Sequence, residues 1–531
     1  SCGFFFESAI YRNISSILGT MKPMTSQPTN IPKNILIVGG GTSGWMVAAI
    51  LATQWKDKDV SLKLIESESI GTIGVGEGST PKMRRFFDSL NIDEREWMPK
   101  CNATYKCGIR FPSWATREGF KSYYHPFFSQ KDDTSIRAFH QNATLRSKNF
   151  NVYAHPDSFF VSNFLASEKL APTPDKKTDY HTDYAYHFDA SLLGEFLRNF
   201  SVQNGVTHVS DTVSEVLRSE NGDISGVETD QHGTIDADFF IDCTGFSGLL
   251  INKTLGVEFL PYKKFLYNDS AVALPSHINL DKGLPAQTVS KALKNGWMWN
   301  IPLTNRFGNG YVYSSDFTDR NSAEEELRKQ LGLMDAAVEA RHLKMRVGRS
   351  AVCWEKNCIA IGLSQGFIEP LEATALMIVQ DTAETFANKL ESSGNTDNSR
   401  AEVNTKVNSI FDGVRNYVQM HYKLNTRSDT EYWLENRKNV HISDDMEKIL
   451  RVWDKGGDLL SELRNQASRL VYSPTSWYCI LAGMGRFRNK PKRPKANVQY
   501  YSKKQAEEHS RSFIQQFPSH LGAIQEHSKT P

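Results

Sequence analysis

The feature that most constrains this chain is a glycine cluster in a fixed setting. Gly39, Gly41 and Gly44 form a Gly-x-Gly-x-x-Gly turn. It directly follows the apolar, β-branched run Asn34-Ile-Leu-Ile-Val38 and opens Met46 to Trp55, a stretch of helical composition. A second strand-like run, Ser61 to Ile65, ends at Glu66. Short runs of this kind are typical of buried parallel strands. Strand, glycine turn, helix and a second strand ending in an acid make the fingerprint of a dinucleotide-binding unit. Gly39 permits the tight turn, Gly41 lets backbone approach a pyrophosphate, and Gly44 lets helix and strand pack closely. The helix N-terminus at Thr42 and Ser43 turns its partial positive charge toward the phosphates. Glu66 is placed to accept hydrogen bonds from ribose hydroxyls, and its charge disfavours a 2′-phosphate.

Further along, Ala237 to Ile241 reads as another buried strand and runs into Asp242-Cys-Thr-Gly-Phe246. That segment resembles one that recurs in FAD enzymes, where a second strand end meets the dinucleotide. No second glycine fingerprint of the nicotinamide type is present. FAD is therefore expected as the only tightly bound dinucleotide, and the chain is not expected to reduce its own flavin with NAD(P)H. Ser219 to Asp223, with Asn-Gly at its centre, predicts a turn between strands. From about Asp381 the pattern is mainly helical, and Gln505 to Phe517 reads as a surface helix.

A chain of 531 residues exceeds one average core and suggests more than one packed module. The expected fold class is α/β: a Rossmann-like FAD-binding module of the GR2-type monooxygenase kind with a mainly helical substrate module. Residues 1–32 read as an N-terminal leader or extension, with Met21 and Met24 as plausible starts. Residues 33–380 form the FAD-binding module, carrying an inserted substrate lid at about 111–180, and 381–531 cover the substrate. With 62 basic and 60 acidic residues the net charge is +2, which gives no case for nucleic acid or membrane partners. No run reaches the ~18 apolar residues of a membrane span. The seven cysteines are scattered, without zinc spacing, which fits a reducing cytoplasm and no metal site. The basic stretch Arg486, Arg488, Lys490, Lys492, Arg493 and Lys495 reads first as a solvated loop and second as a docking patch for an acidic partner.

Gly296-Trp-Met-Trp-Asn-Ile-Pro302 contains Trp297-x-Trp299-x-Ile301-Pro302. This pattern resembles the mark of flavin-dependent halogenases of the tryptophan-halogenase type. Gly74 to Pro81 (with Gly76), Glu94 to Pro99, Phe307 to Val312, Arg346 to Arg349, Gly362 to Glu372 and Tyr478 to Gly483 extend the likeness from about Asn34 to about Gly485. The resemblance implies an enzyme that uses reduced FAD, O2 and a halide ion, bromide or chloride, to make hypohalous acid and halogenate an electron-rich aromatic ring. A separate NAD(P)H-dependent flavin reductase is the implied transient partner. The oligomeric state stays open, with a homodimer among the candidates.

The same resemblance places the essential lysine at Lys106 and the essential glutamate at Glu372. A lysine suits the chemistry because an ammonium can polarise a diffusible oxidant, and an amine can form a haloamine. A carboxylate beside it can take the ring proton. The halide site maps to the backbone N–H groups of Thr374 and Ala375, which carry no competing negative charge. Gly362 belongs to the cofactor side, and the tryptophan motif is implied to fill space beside the flavin. His125, Phe127 and Tyr472 map to the aromatics that stack on the substrate.

Two departures matter. Ala373 and Ala375 stand where tryptophan-specific members show Ser and Gly, which predicts a reshaped halide pocket tilted toward bromide. Gly457 to Val471 is shorter and lacks the tyrosine pair that holds an amino acid's charged groups. Free or substituted indole is therefore expected in preference to tryptophan, which remains the alternative. Rival readings are an FAD-dependent aromatic monooxygenase and a catalytically silent flavin-binding protein.

Overall fold

In a computed structural model the chain is described over residues 30–67, 76–174 and 182–529. Most of the expected leader, part of the expected lid, and Gly74 and Val75 lie outside these residues. The central sheet has six strands, in the order Trp354–Glu355, Cys358–Ala360, Phe239–Asp242, Asn34–Val38, Ser61–Glu66 and Thr207–Ser210. Asn34–Val38 runs parallel to both neighbours, with Val38 level with Asp242 and with Ile65. The three strand ends therefore meet at the glycine turn.

The helix after that turn, Thr42–Gln54, is apolar nearly all round because it is covered on more than one side. It packs against the Ala190–Gln203 and Ala375–Ser393 helices. Its start depends on Gly44, where a Cβ would lie 2.0 Å from the Gly39 carbonyl oxygen, so alanine there forces the turn apart. The expected hairpin forms between Val213–Arg218 and Ile224–Thr229, with Gly222 at φ +83° in the turn.

A seven-stranded sheet carries the tryptophan motif. Its order is Arg341–Lys344, Ser270–Ser276, Phe307–Tyr313, Gly296–Pro302, Thr288–Leu293, Gly108–Pro112 and Ser122–Pro126. A small sheet beside it joins Gly76–Gly78, Ala185–Asp189 and Thr104–Lys106. The Ser122–Pro126 strand of the expected lid is thus an integral edge of the larger sheet. From Ala375 onward the chain is mainly helical, dominated by Ala375–Ser393 and Asp397–Leu424. The observed class is α/β with mixed sheets and a helical C-terminal region, as expected. The expected division at residue 380 falls inside the continuous Ala375–Ser393 helix.

Two surface expectations change in detail. The stretch Gln505 to Phe517 is not one surface helix but Lys503–Arg511 followed by a short turn, Ile514–Gln516. Ala506, Ser510, Ile514 and Phe517 are buried because this segment packs inward, with Ser510 Oγ donating to the Phe159 carbonyl at 2.8 Å. In the basic stretch, Arg486 and Arg488 are tied to Asp454, whereas Lys490, Lys492, Arg493 and Lys495 lie toward solvent. No helix among the described residues is long and apolar enough to cross a membrane.

Candidate active site

The glycine turn is closed at Gly39 and open at Gly41. Gly39 adopts φ +110°, and a Cβ there would lie 2.2 Å from the Cys243 carbonyl oxygen, so the turn closes directly onto the Asp242–Gly245 segment. At Gly41 nothing stands within 4 Å of the point a Cβ would occupy, which leaves that backbone open to a ligand. Glu66 lies against the turn, accepting from Trp45 Nε1 at 3.4 Å, with His208 Nε2 2.9 Å from its other oxygen. Gly40 is glycine for this reason, since a Cβ there would collide with the Glu66 carboxylate. Gly362, at φ +81°, lies so close to Ser43 that a Cβ there would stand 2.7 Å from the Ser43 hydroxyl oxygen. Gly76 is accounted for by packing: its Cβ position faces Gly308, Leu303 and Ile301.

Next to Ser43 and Gly362 is a cavity of about 40 Å³, also lined by Thr374, Ala375 and Phe411. It has room for water-sized species only. Thr374 caps the Ala375–Ser393 helix, so the unpaired N–H groups of that first turn favour an anion. The backbone reverses just before it, at Ala373, which holds φ +55° without being glycine. The strained position in this loop is therefore Ala373, while Ala375 contributes its methyl group to the cavity.

Lys106 ends the short strand Thr104–Lys106 and is fully buried. Its Nζ donates to the Ser79 carbonyl at 2.8 Å and lies 5.4 Å from the centre of the Phe127 ring, within cation–π range. Among the described residues no carboxylate lies within ion-pair distance of it. Burial pushes its pKa from 10.5 down to about 7, only partly countered by the charge of Glu372.

Glu372 closes the Pro370–Glu372 turn and is also buried. Its Oε2 lies 3.0 Å from His125 Nδ1, and its Oε1 lies 3.1 Å from His421 Nε2. Burial alone would raise its pKa, but the two histidines, His125 first, outweigh that and hold the carboxyl down at about 2. His421 is fixed by its Nδ1, which donates to the Tyr417 carbonyl at 3.1 Å, while Nε2 shares the Tyr123 hydroxyl at 2.9 Å. His125 Nε2 reaches Ser476 Oγ at 3.0 Å.

The chain as a whole matches a family of known enzymes. The tryptophan halogenase family profile matches residues 34–500. The chain belongs to the tryptophan halogenase family. The 7-chloro-L-tryptophan 6-halogenase KtzR of Kutzneria sp. (strain 744) is 38% identical over 481 residues, covering 86% of this chain and 91% of that protein. The tryptophan 7-halogenase RebH of Lentzea aerocolonigenes is 34% identical over 490 residues, covering 85% and 89%. Among solved structures, Tar14, a tryptophan C-6 flavin-dependent chlorinase from taromycin biosynthesis, superposes with a TM-score of 0.81 at 34% identity, covering 94% of this chain and 100% of Tar14. This protein is accordingly a flavin-dependent halogenase.

In this halogenase the fold draws together most of the residues singled out from sequence. Lys106 and Phe127 meet directly, and Glu372 meets His125. The His125 and Tyr472 ring centres are 6.4 Å apart, but Tyr472 stacks on Tyr417 at 3.7 Å, a partner the sequence did not suggest. Trp297 and Trp299 are buried side by side, their centres 6.3 Å apart. Trp297 does more than fill space: its indole N–H donates to Glu369 Oε2 at 2.8 Å, which also accepts from Asn268 Nδ2 at 2.8 Å and the Tyr422 hydroxyl at 2.6 Å. Glu369 is buried three residues before Glu372, so His421 and Tyr422, adjacent on one helix, grip both ends of the loop that carries Glu372. Sequence reading missed Glu369 and His421. Two acids within the apolar run Ile368 to Leu371 and beyond were a usable signal for the first; His421 had none.

Proposed function

We propose that this halogenase acts on the ring of a free or substituted indole, with Lys106 and Glu372 as its catalytic pair. The observation that carries this reading is the complete burial of Lys106 with one protein acceptor. Burying an amine this way is costly, and its pKa near 7 leaves it available as either ammonium or amine. The open backbone at Gly41, the turn from Gly39 to Gly44, and Ser43, Glu66 and Gly362 suit FAD. Bound reduced flavin with O2 supplies the oxidising equivalent that turns halide into an electrophilic halogen. The Thr374 and Ala375 N–H groups hold the halide beside that site. Lys106 Nζ hydrogen-bonds the resulting hypohalous acid and fixes its halogen toward one ring carbon. The ring, set near Phe127, His125 and Tyr472, attacks the halogen, and Glu372 takes the displaced ring proton. A separate flavin reductase delivers the reduced cofactor, consistent with the single dinucleotide fingerprint.

The indole preference is supported by the Gly457 to Val471 stretch. Its two acids are spent locally: Asp458 accepts from Ser461 and Glu462 from Gln466. Both are engaged in local contacts, and the stretch holds no tyrosine. A second reading, tryptophan itself, is favoured by KtzR and RebH, which are named for acting on chlorotryptophan and tryptophan.

The test uses purified enzyme with FAD, NADH, a generic flavin reductase, chloride or bromide, and either indole or L-tryptophan, read by mass spectrometry. Lys106→Ala is expected to abolish halogenated product while still binding FAD. A halogenated product that survives in Lys106→Ala would overturn the assignment. A higher kcat/KM for tryptophan than for indole would establish the second reading.

A further inference from the structure

A neutral imidazole is itself a target for an electrophilic halogen, because its unprotonated nitrogen carries a nucleophilic lone pair. His187 is buried on the strand that pairs with the Lys106 strand, level with Thr104, while Ala185 is level with Lys106. Around the point a Cβ on Gly78 would occupy, Lys106 Nζ stands at 3.3 Å, Thr288 Oγ1 at 3.4 Å and His187 Cδ2 at 3.5 Å. The three groups therefore border one small space, and a side chain at 78 would crowd the lysine amine. The hydrogen bonds around the imidazole run in one direction only. Thr104 Oγ1 lies 2.7 Å from the Pro302 carbonyl, which can only accept, so the Thr104 proton is committed there. Thr104 Oγ1 must then accept from His187 Nδ1–H at 3.1 Å. Nε2 is left as the lone-pair nitrogen, and it accepts the Thr288 hydroxyl proton at 2.9 Å. Burial pushes His187 well below the ordinary histidine range, and the Lys106 charge and His520 push the same way. The ring thus stays neutral in this single tautomer.

We propose that the Thr288 hydroxyl shields the His187 lone pair from the halogenating oxidant, so that halogen is delivered to the substrate ring and not to the enzyme. The inference rests on the reading of Lys106 as the residue that meets hypohalous acid. The reaction the hydroxyl suppresses is a simple exchange. The Nε2 lone pair bonds to the halogen, the halogen–oxygen bond breaks, and the departing hydroxide leaves as water with the Nδ1 proton. The imidazole then carries one halogen in place of one hydrogen. With Thr288 donating to Nε2, that lone pair is engaged and the attack does not begin. Lys106 Nζ, held by one backbone acceptor, keeps N–H groups for the same oxidant. Two neighbouring nitrogens are thereby given opposite fates. Thr104 acts one bond further out by fixing which imidazole nitrogen holds the lone pair, and its own partner, Pro302, ends the tryptophan strand.

The test compares the unaltered enzyme with Thr288→Val, which keeps the shape without the hydroxyl, and Thr288→Ser, which restores the hydroxyl. Each is turned over with FAD, NADH, a generic flavin reductase, bromide and whichever of L-tryptophan and indole the unaltered enzyme halogenates. The protein is then read by peptide mass spectrometry without added thiol. Thr288→Val is expected to carry about tenfold more bromine on the peptide containing His187 than the other two, the factor that one lost hydrogen bond represents. Its activity is expected to decay with successive turnovers, and only when bromide is present. A packing defect lowers activity without placing halogen on His187. A second measurement uses the unaltered enzyme alone: nitrogen NMR of histidine-labelled protein, with the His187 signals assigned by His187→Gln. A proton on Nδ1 and none on Nε2 is expected. An unmodified His187 in a Thr288→Val enzyme that still halogenates its substrate would overturn the shield, and so would a proton on Nε2 in the unaltered enzyme. Halogenated product from Lys106→Ala would instead remove the lysine reading, and the shield with it.

Discussion

A buried amine with a single backbone acceptor leaves its charge to be decided by its surroundings. For Lys106 the folded pKa is about 7, against 10.5 when solvated. Below about 7 both folded and unfolded chains carry the proton, and the folded state bears the full burial penalty. Between about 7 and 10.5 the unfolded chain holds the extra proton, so stability from this group rises with pH. Lys106→Met removes the penalty. Thermal melts of the two proteins are expected to differ most, in favour of the variant, at or below neutral pH, and to converge toward pH 10. A constant difference would mean the lysine is not titrating as described. The Ala375 methyl group acts by volume. In Ala375→Gly the 40 Å³ cavity enlarges, and the bromide-to-chloride turnover ratio is expected to shift measurably. An unchanged ratio would show that the methyl group does not shape the halide site.

At the scale of elements, the tryptophan strand and the loop from Glu369 to Ala375 work as one piece. Trp297→Phe keeps an aromatic ring in place but withdraws one of three donors from the buried Glu369 carboxylate. Leaving a buried acceptor short of a donor costs about 1–3 kcal/mol. The expected result is a lower melting temperature and more peroxide released per halogenated product, because the loop bearing Glu372 and Thr374 loosens. If the strand only fills space, Trp297→Phe leaves that ratio alone. Much of this level was legible in the sequence. The glycine turn, its flanking strands and the Asn-Gly hairpin are set by neighbours a few residues away, and local patterns report them. Lys106 and Glu372 were reached only by resemblance, since an isolated lysine or glutamate in a string of residues carries no sign of being buried. Tyr417, His421 and Ser476 were missed because their roles come from helices folded across the sheet, which no periodicity records.

At the scale of the whole molecule, the C-terminal segment completes the strand that carries Lys106. The Tyr105 backbone N–H donates to His520 Nε2 at 2.9 Å, across 415 residues of sequence, and His520 Nδ1 reaches the Leu284 carbonyl at 3.2 Å. His527 and Glu94 share the Tyr105 hydroxyl at 2.7 and 2.6 Å. His520→Ala orphans a buried N–H one residue from Lys106, at a cost of about 1–3 kcal/mol. Reduced halogenation and a lower melting temperature are expected together, read by product yield and calorimetry. A variant as stable and as active as the parent would show that the contact is incidental. On the ribosome, the strand bearing the lysine emerges long before its partner. Until the chain has grown the 415 positions from Tyr105 to His520, its amide faces water or a stand-in. A chain released before residue 520 would therefore hold the glycine turn while Lys106 sat on an unfinished edge.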